Sequence, residues 1–154
     1  MNAFEKLMAD FSALSGLDLV PDERQGCFLD AEGIPITLQY RQDVDELVVF
    51  APVTDAESGV SPTKEMYEKA LSLAYDGRGT GGAMLGLFDN NLILSVHLPM
   101  QGMDAKSLGV KLTAFADTAL SARAEIAAVA AGGAYSRGAD FASDDDAAGD
   151  FIRV

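Results

Sequence analysis

The stretch Gly86-Leu-Phe-Asp-Asn-Asn-Leu-Ile-Leu-Ser-Val-His-Leu-Pro-Met100 constrains the fold more than any other part of the chain. Two apolar runs separated by an Asp-Asn turn read as a β-hairpin, with strands over about 83–88 and 92–98. Pro99 stops the second strand. Asp104 then stands as the N-cap of a long helix, with Met103 and Leu108 at the positions of a hydrophobic staple. Leu108, Leu112, Phe115, Ala119, Ala122 and Ile126 form one stripe of that helix, which runs to Gly132-Gly133.

Upstream, Phe4, Leu7, Met8, Phe11 and Leu14 recur at three- and four-residue spacing, a single helical stripe closed by Gly16. Three strands follow. The first covers about 25–30, and the second is Ile34 to Tyr40, where Ile34, Ile36, Leu38 and Tyr40 alternate with Pro35, Thr37 and Gln39. Pro35 cannot donate to a ladder, so it predicts an edge position or a strand start. The third, Leu47 to Val53, is apolar throughout and predicts cover on both faces. Ser61 and Pro62 predict the cap and first position of a second helix that ends near Tyr75, ahead of Asp76-Gly77. Its apolar arc is wide enough to serve the sheet on one side and a second copy of the chain on the other. Strands joined by hairpins, with helices between the runs, give an α+β fold in the order α-β-β-β-α-β-β-α: a twisted antiparallel sheet with helices packed on it. One domain over 1–133 and an acidic tail over 134–154, containing Asp144 to Asp146 and lacking periodicity, complete the reading.

The formal net charge of −13 repels phosphate and anionic lipid, which argues against nucleic-acid and membrane-surface partners. No apolar run reaches the ~20 residues needed to cross a bilayer, and the first residues carry no secretory signal, so a cytoplasmic location is expected. Chemistry is sparse. Gly77-Arg-Gly-Thr-Gly-Gly82 has the letters of a phosphate-binding loop. Its predicted context is inverted, with a helix before it and a strand after it. His97 is the lone histidine and lacks a metal-binding or catalytic companion, so a structural role is expected. Cys27 reads as a small buried hydrophobe. Asp43, Asp45 and Glu46 have no calcium-loop spacing. No catalytic residue, metal or cofactor is expected. What remains is apolar surface: more faces than one small sheet can cover.

The arrangement resembles the type III secretion chaperones of the Tir-chaperone (CesT) family over residues 3–130. The resemblance is carried by Phe4 to Gly16, the Gly26-Cys27-Phe28-Leu29 strand with its turn at Asp30 to Gly33, the hairpin from Gly86 to Met100, and the helix start at Met103 to Leu108. It implies a non-catalytic cytoplasmic homodimer that holds the N-terminal segment of a secreted effector in extended form, soluble and competent for export, with the export apparatus as a further partner. Phe4, Leu7, Phe11, Leu29, Ile34, Ile36 and Leu38 are then the candidate effector-binding residues. Met66, Ala70, Leu73 and Met84 are the candidates for the dimer interface. The alternative is a small α+β regulatory or sensory module that binds a folded partner.

Overall fold

The computed structural model describes residues 1–55 and 61–132; the expected acidic tail lies outside the described residues. The elements are α1 (Ala3–Ser15), β1 (Gly26–Ala31), β2 (Ile34–Arg41), β3 (Glu46–Pro52), α2 (Lys64–Ala74), a single 3-10 turn (Tyr75–Gly77), β4 (Met84–Phe88), β5 (Asn91–Pro99) and α3 (Ala105–Gly132). This is the expected order. The strands make one antiparallel sheet in the order β1-β2-β3-β5-β4, so β1 and β4 are its two edges.

Helix ends are set by local chemistry. Asn2 caps α1 through a reciprocal box: its side chain accepts from the Glu5 N–H at 2.8 Å, and its own N–H donates to the Glu5 carboxylate at 2.8 Å. Gly16 closes the helix at φ 76, a left-handed position that favours glycine. α2 starts later than Ser61-Pro62 predicted. The Thr63 hydroxyl accepts from Met66 N–H, so Thr63 is the cap and Pro62 is buried just ahead of it. At α3, Asp104 accepts from Ser107 N–H at 2.7 Å, and its N–H donates to the Ser107 hydroxyl at 3.1 Å. These contacts, the Ser107 main-chain N–H foremost, hold the Asp104 carboxyl below the usual carboxylate range.

The sheet register divides the strand residues cleanly between two faces. Cys27, Leu29, Ile34, Ile36, Leu38, Leu47, Val49, Ala51, Leu92, Leu94 and Leu98 face the helices, where α3 packs on β2 with α1 and α2 beside it. Phe4 adds a stacked contact with Tyr40, ring centroids 5.5 Å apart. The Lys69–Glu125 pair (3.1 Å) ties α2 to α3, and Arg123 donates to the Gly33 carbonyl at the β1–β2 turn. Thr54 is buried and accepts from the Leu92 N–H, joining the end of β3 to the start of β5.

One expectation changes here, and one that was left open is decided. β3 is roofed on one face only: Leu47, Val49 and Ala51 are buried, while Val48, Phe50 and Pro52 are half-buried on the other side. Of the two places open to Pro35, the strand start is the one it takes: it is the second residue of β2, an interior strand, opposite Asp30 of β1. The β2–β3 ladder begins only at Thr37, so the missing proline N–H leaves no gap in it.

Candidate functional site

Roofing on one face leaves the other face of the sheet bare of helices among the described residues, and the strands that build it place their residues in transverse rows. One row crosses all five strands: Phe28, Thr37, Phe50, Ser95 and Met84. Large apolar side chains on β1, β3 and β4 alternate with small hydroxyl side chains on β2 and β5. Phe28 is 67% exposed, a high value for a phenylalanine within a strand. Val48 and Ile93 extend the apolar area along β3 and β5, and Phe88 extends it along β4.

Charge frames this face at the β1 end. Between Asp18 and Glu32 the chain carries five carboxylates and one guanidinium, Arg24. At the opposite end of β3, Glu46 lies 3.1 Å from His97 Nδ1, and Arg41 pairs with Asp43 at 3.4 Å. His97 is thus part of a cross-strand polar pair on the bare face. Asp45 accepts from the Tyr40 hydroxyl at 2.9 Å, which with burial raises the phenol's pKa above its ordinary value. Cys27, on the helix side, is buried; desolvation first and the Asp22 charge second push its thiol up to about 11. Such a thiol is protonated and unreactive at neutral pH.

A second apolar surface lies at the β4 edge. Tyr67, Ala70, Leu71 and Ala74 of α2 face Leu85 and Leu87 of β4 across a cleft of about 200 Å³. Leu71 is 73% exposed and Leu87 57% exposed at its mouth.

The glycine loop between α2 and β4 spends its main-chain groups internally, with Gly82 N–H donating to the Gly77 carbonyl and Ala83 N–H to that of Thr80. A Cβ on Gly79 would lie 2.6 Å from the Leu73 carbonyl oxygen, so that glycine is there for close packing. Among the described residues, no cluster of His, Cys, Asp and Glu could hold a metal ion, and no helix is long and apolar enough to cross a membrane.

The residues expected to face an effector divide sharply. Phe4, Leu7, Phe11, Ile34, Ile36 and Leu38 are all buried between the helices and the sheet of one chain, and none presents a free surface. The correction has a simple cause: the α1 stripe, the α3 stripe and the even-numbered residues of β2 bury one another in a single core. Leu29 is half-buried at the β1 edge. Of the dimer candidates, Ala70 and Leu73 are likewise buried within one chain, Met66 is half-buried, and Met84 is exposed on the bare face. The exposed residues that sequence reasoning missed include Phe28, Leu71, Leu87 and Phe88, with half-buried Phe50 in the same row as Phe28. The signal was present in the hairpin, where β4 carries apolar residues on both of its faces.

Comparison with known proteins places this geometry. The profile of the Tir chaperone protein (CesT) family matches residues 6–123. No curated protein matches the chain. Solved structures share the fold, three of them with 17–18% identity. One is the HopA1-SchA chaperone-effector complex (17% identity, TM-score 0.64, covering 79% of this chain and 93% of that one). A second is the Yersinia pestis type III secretion chaperone SycH in complex with a stable fragment of YscM2 (18%, 0.57, 76% and 97%). The third is the ExsC-ExsE complex (18%, 0.62, 75% and 86%). With its element order, one-sided sheet and matched span of residues taken together, the chain belongs to the Tir chaperone protein (CesT) family.

Proposed function

We propose that this protein is a cytoplasmic, non-catalytic type III secretion chaperone that binds the N-terminal segment of a secreted effector in extended, non-globular form. The observation that carries this reading is the bare sheet face, with Phe28, Phe50 and Met84 aligned across the strands and, among the described residues, no helix packed above them. Family membership supports it, as do the folds shared with chaperones solved in complexes. The effector-facing residues become Phe28, Phe50, Ile93 and Met84, with Leu29 at the β1 edge; the buried set from Phe4 to Leu38 serves as the platform beneath them. Ordering a disordered client segment costs about 2–5 kcal/mol, so the contact must use a broad surface rather than one pocket. The carboxylates around β1 favour a client with basic residues beside its apolar anchors. The protein acts as a homodimer joined at the α2–β4 surface, where Leu71, Tyr75, Leu87 and Phe88 are exposed. The loaded dimer then presents its client to the export apparatus.

Co-expression with secreted proteins encoded beside this chain, followed by light scattering and limited proteolysis, tests the reading. The expected result is a complex whose client segment is protease-sensitive alone and protected when bound. Phe28→Asp combined with Phe50→Asp should reduce capture at least tenfold while the far-ultraviolet circular dichroism stays unchanged. Capture of a client that is already folded, or capture that survives the double substitution, would count against it.

A further inference from the structure

We propose that Glu46 selects the client: the middle strand β3 reads an extended segment in which two apolar side chains, alternate in sequence, are followed two residues on by an arginine or a lysine. This rests on the client-binding reading of the bare face and names the chemistry of the segment that lies there.

The strand order β1-β2-β3-β5-β4 puts β3 in the centre, with two strands on either side. In aligned packing, a strand laid on a sheet keeps within about 30° of the strands beneath it. An extended client in that packing follows β3. Along β3 the residues on the bare face are Pro52, Phe50, Val48 and Glu46, each half-buried. Pro52 lies at the β4–β5 turn end, opposite Ile93, and Glu46 at the other end, opposite Pro99. Successive members of this series are about 6.8 Å apart. The same two-residue repeat brings every second side chain of an extended client down onto the sheet. Apolar client residues over Phe50 and Val48 therefore set the next downward side chain over Glu46. The two chain directions give apolar-x-apolar-x-basic and its reverse.

Charge singles out Glu46 on this face. The strands carry two carboxylates in all, Asp30 and Glu46, and the register sets both on the bare side. Asp30 lies on the edge strand β1 and serves its own turn, accepting from the Gly33 N–H at 3.0 Å. Glu46 lies on the central strand. Its Oε2 is 3.1 Å from Nδ1 of His97, the diagonal neighbour on β5, which holds the carboxylate over the boundary between β3 and β5. That contact uses one of several acceptor positions on the carboxylate. Arg41 stands directly opposite Glu46 on β2, yet its guanidinium pairs with Asp43 at 3.4 Å. Among the described residues, the ion-pair partner of Glu46 is the imidazole rather than an arginine or a lysine. Arginine and lysine side chains donate and cannot accept, so they are the guests that complete such a group. A client lying above removes water from the pair and strengthens its attraction for a cation. A guest carboxylate at the same place is repelled.

Fluorescence anisotropy with labelled peptides and the full-length chain tests the assignment. The probes carry Ile-Ser-Val-Thr-Arg, or its reverse Arg-Thr-Val-Ser-Ile, within a Gly-Ser frame. One of the two directions should bind about fivefold tighter than the same peptide with glutamine in place of arginine. Moving the arginine by one residue keeps the peptide's charge and turns the side chain away from the sheet, so that peptide should bind like the glutamine one. This control separates Glu46 from the general attraction exerted by a net charge of −13. Glu46→Gln should abolish the preference for arginine. Glu46→Arg should reverse it in favour of a peptide with glutamate there, with the far-ultraviolet circular dichroism unchanged in both variants. A preference that survives Glu46→Gln, that ignores the position of the arginine, or that is absent in both directions overturns the proposal. So does a failure of every peptide to bind at about 1 mM. Capture of a co-expressed client is read separately. If it is lost in the Phe28→Asp, Phe50→Asp protein and unchanged in Glu46→Gln, the role of Glu46 falls and the client-binding face stands. If it survives all of these substitutions, both fall.

Discussion

Phe4 and Ile36 lie at the bottom of the packing between α1, α3 and the sheet, so their substitution tests stability before it tests binding. Phe4→Ala should cost about 3–5 kcal/mol in urea unfolding, since it removes a buried ring stacked on Tyr40 and leaves a cavity. Phe28→Ala, at an exposed position, should stay within roughly 0.5 kcal/mol of wild type. Cys27 should resist iodoacetamide at pH 8 in the folded protein and react readily in urea, as read by mass spectrometry, because burial keeps its thiol protonated up to about 11. The apolar residues named from the sequence were the right ones for a core, and for that reason six of them could not be a client surface. Alternation along β2 reveals which residues share a face. It does not reveal which face the helices will cover, because that depends on how α1 and α3 meet across chain positions far apart.

At the scale of elements, strand positions and the hairpin turn were legible because each follows from a local rule: alternation, a two-residue turn, a proline stop. The start of α2 was not, since Ser61 and Thr63 both suit a cap and it is the Thr63 hydroxyl that accepts from the Met66 N–H. The one-sided cover of β3 was not legible either: Val48 and Phe50 look like core in sequence and are only half-buried. Gly79→Ala should destabilise the protein by about 1–3 kcal/mol in thermal or urea unfolding, because its Cβ has no room against the Leu73 main chain. Asp104 gives α3 a pH response whose sign is fixed. Its folded pKa is depressed, so the cap's contribution is present above the ordinary carboxylate range and is lost as pH falls through the lowered value. Asp104→Asn should remove that acid-side dependence from the unfolding midpoint.

For the molecule as a whole, a net charge of −13 surrounds surfaces that are themselves apolar. Client affinity should fall as salt rises from 50 to 500 mM, by roughly tenfold if basic flanking residues contribute, and titration calorimetry reads this directly. A flat salt profile would mean that apolar contact alone carries recognition. A sheet roofed on one side also lacks the second layer that locks the twist of a sandwich. Its curvature can follow whatever lies upon it, so dissimilar polypeptides can be accommodated by bending one surface rather than by keeping a separate pocket for each.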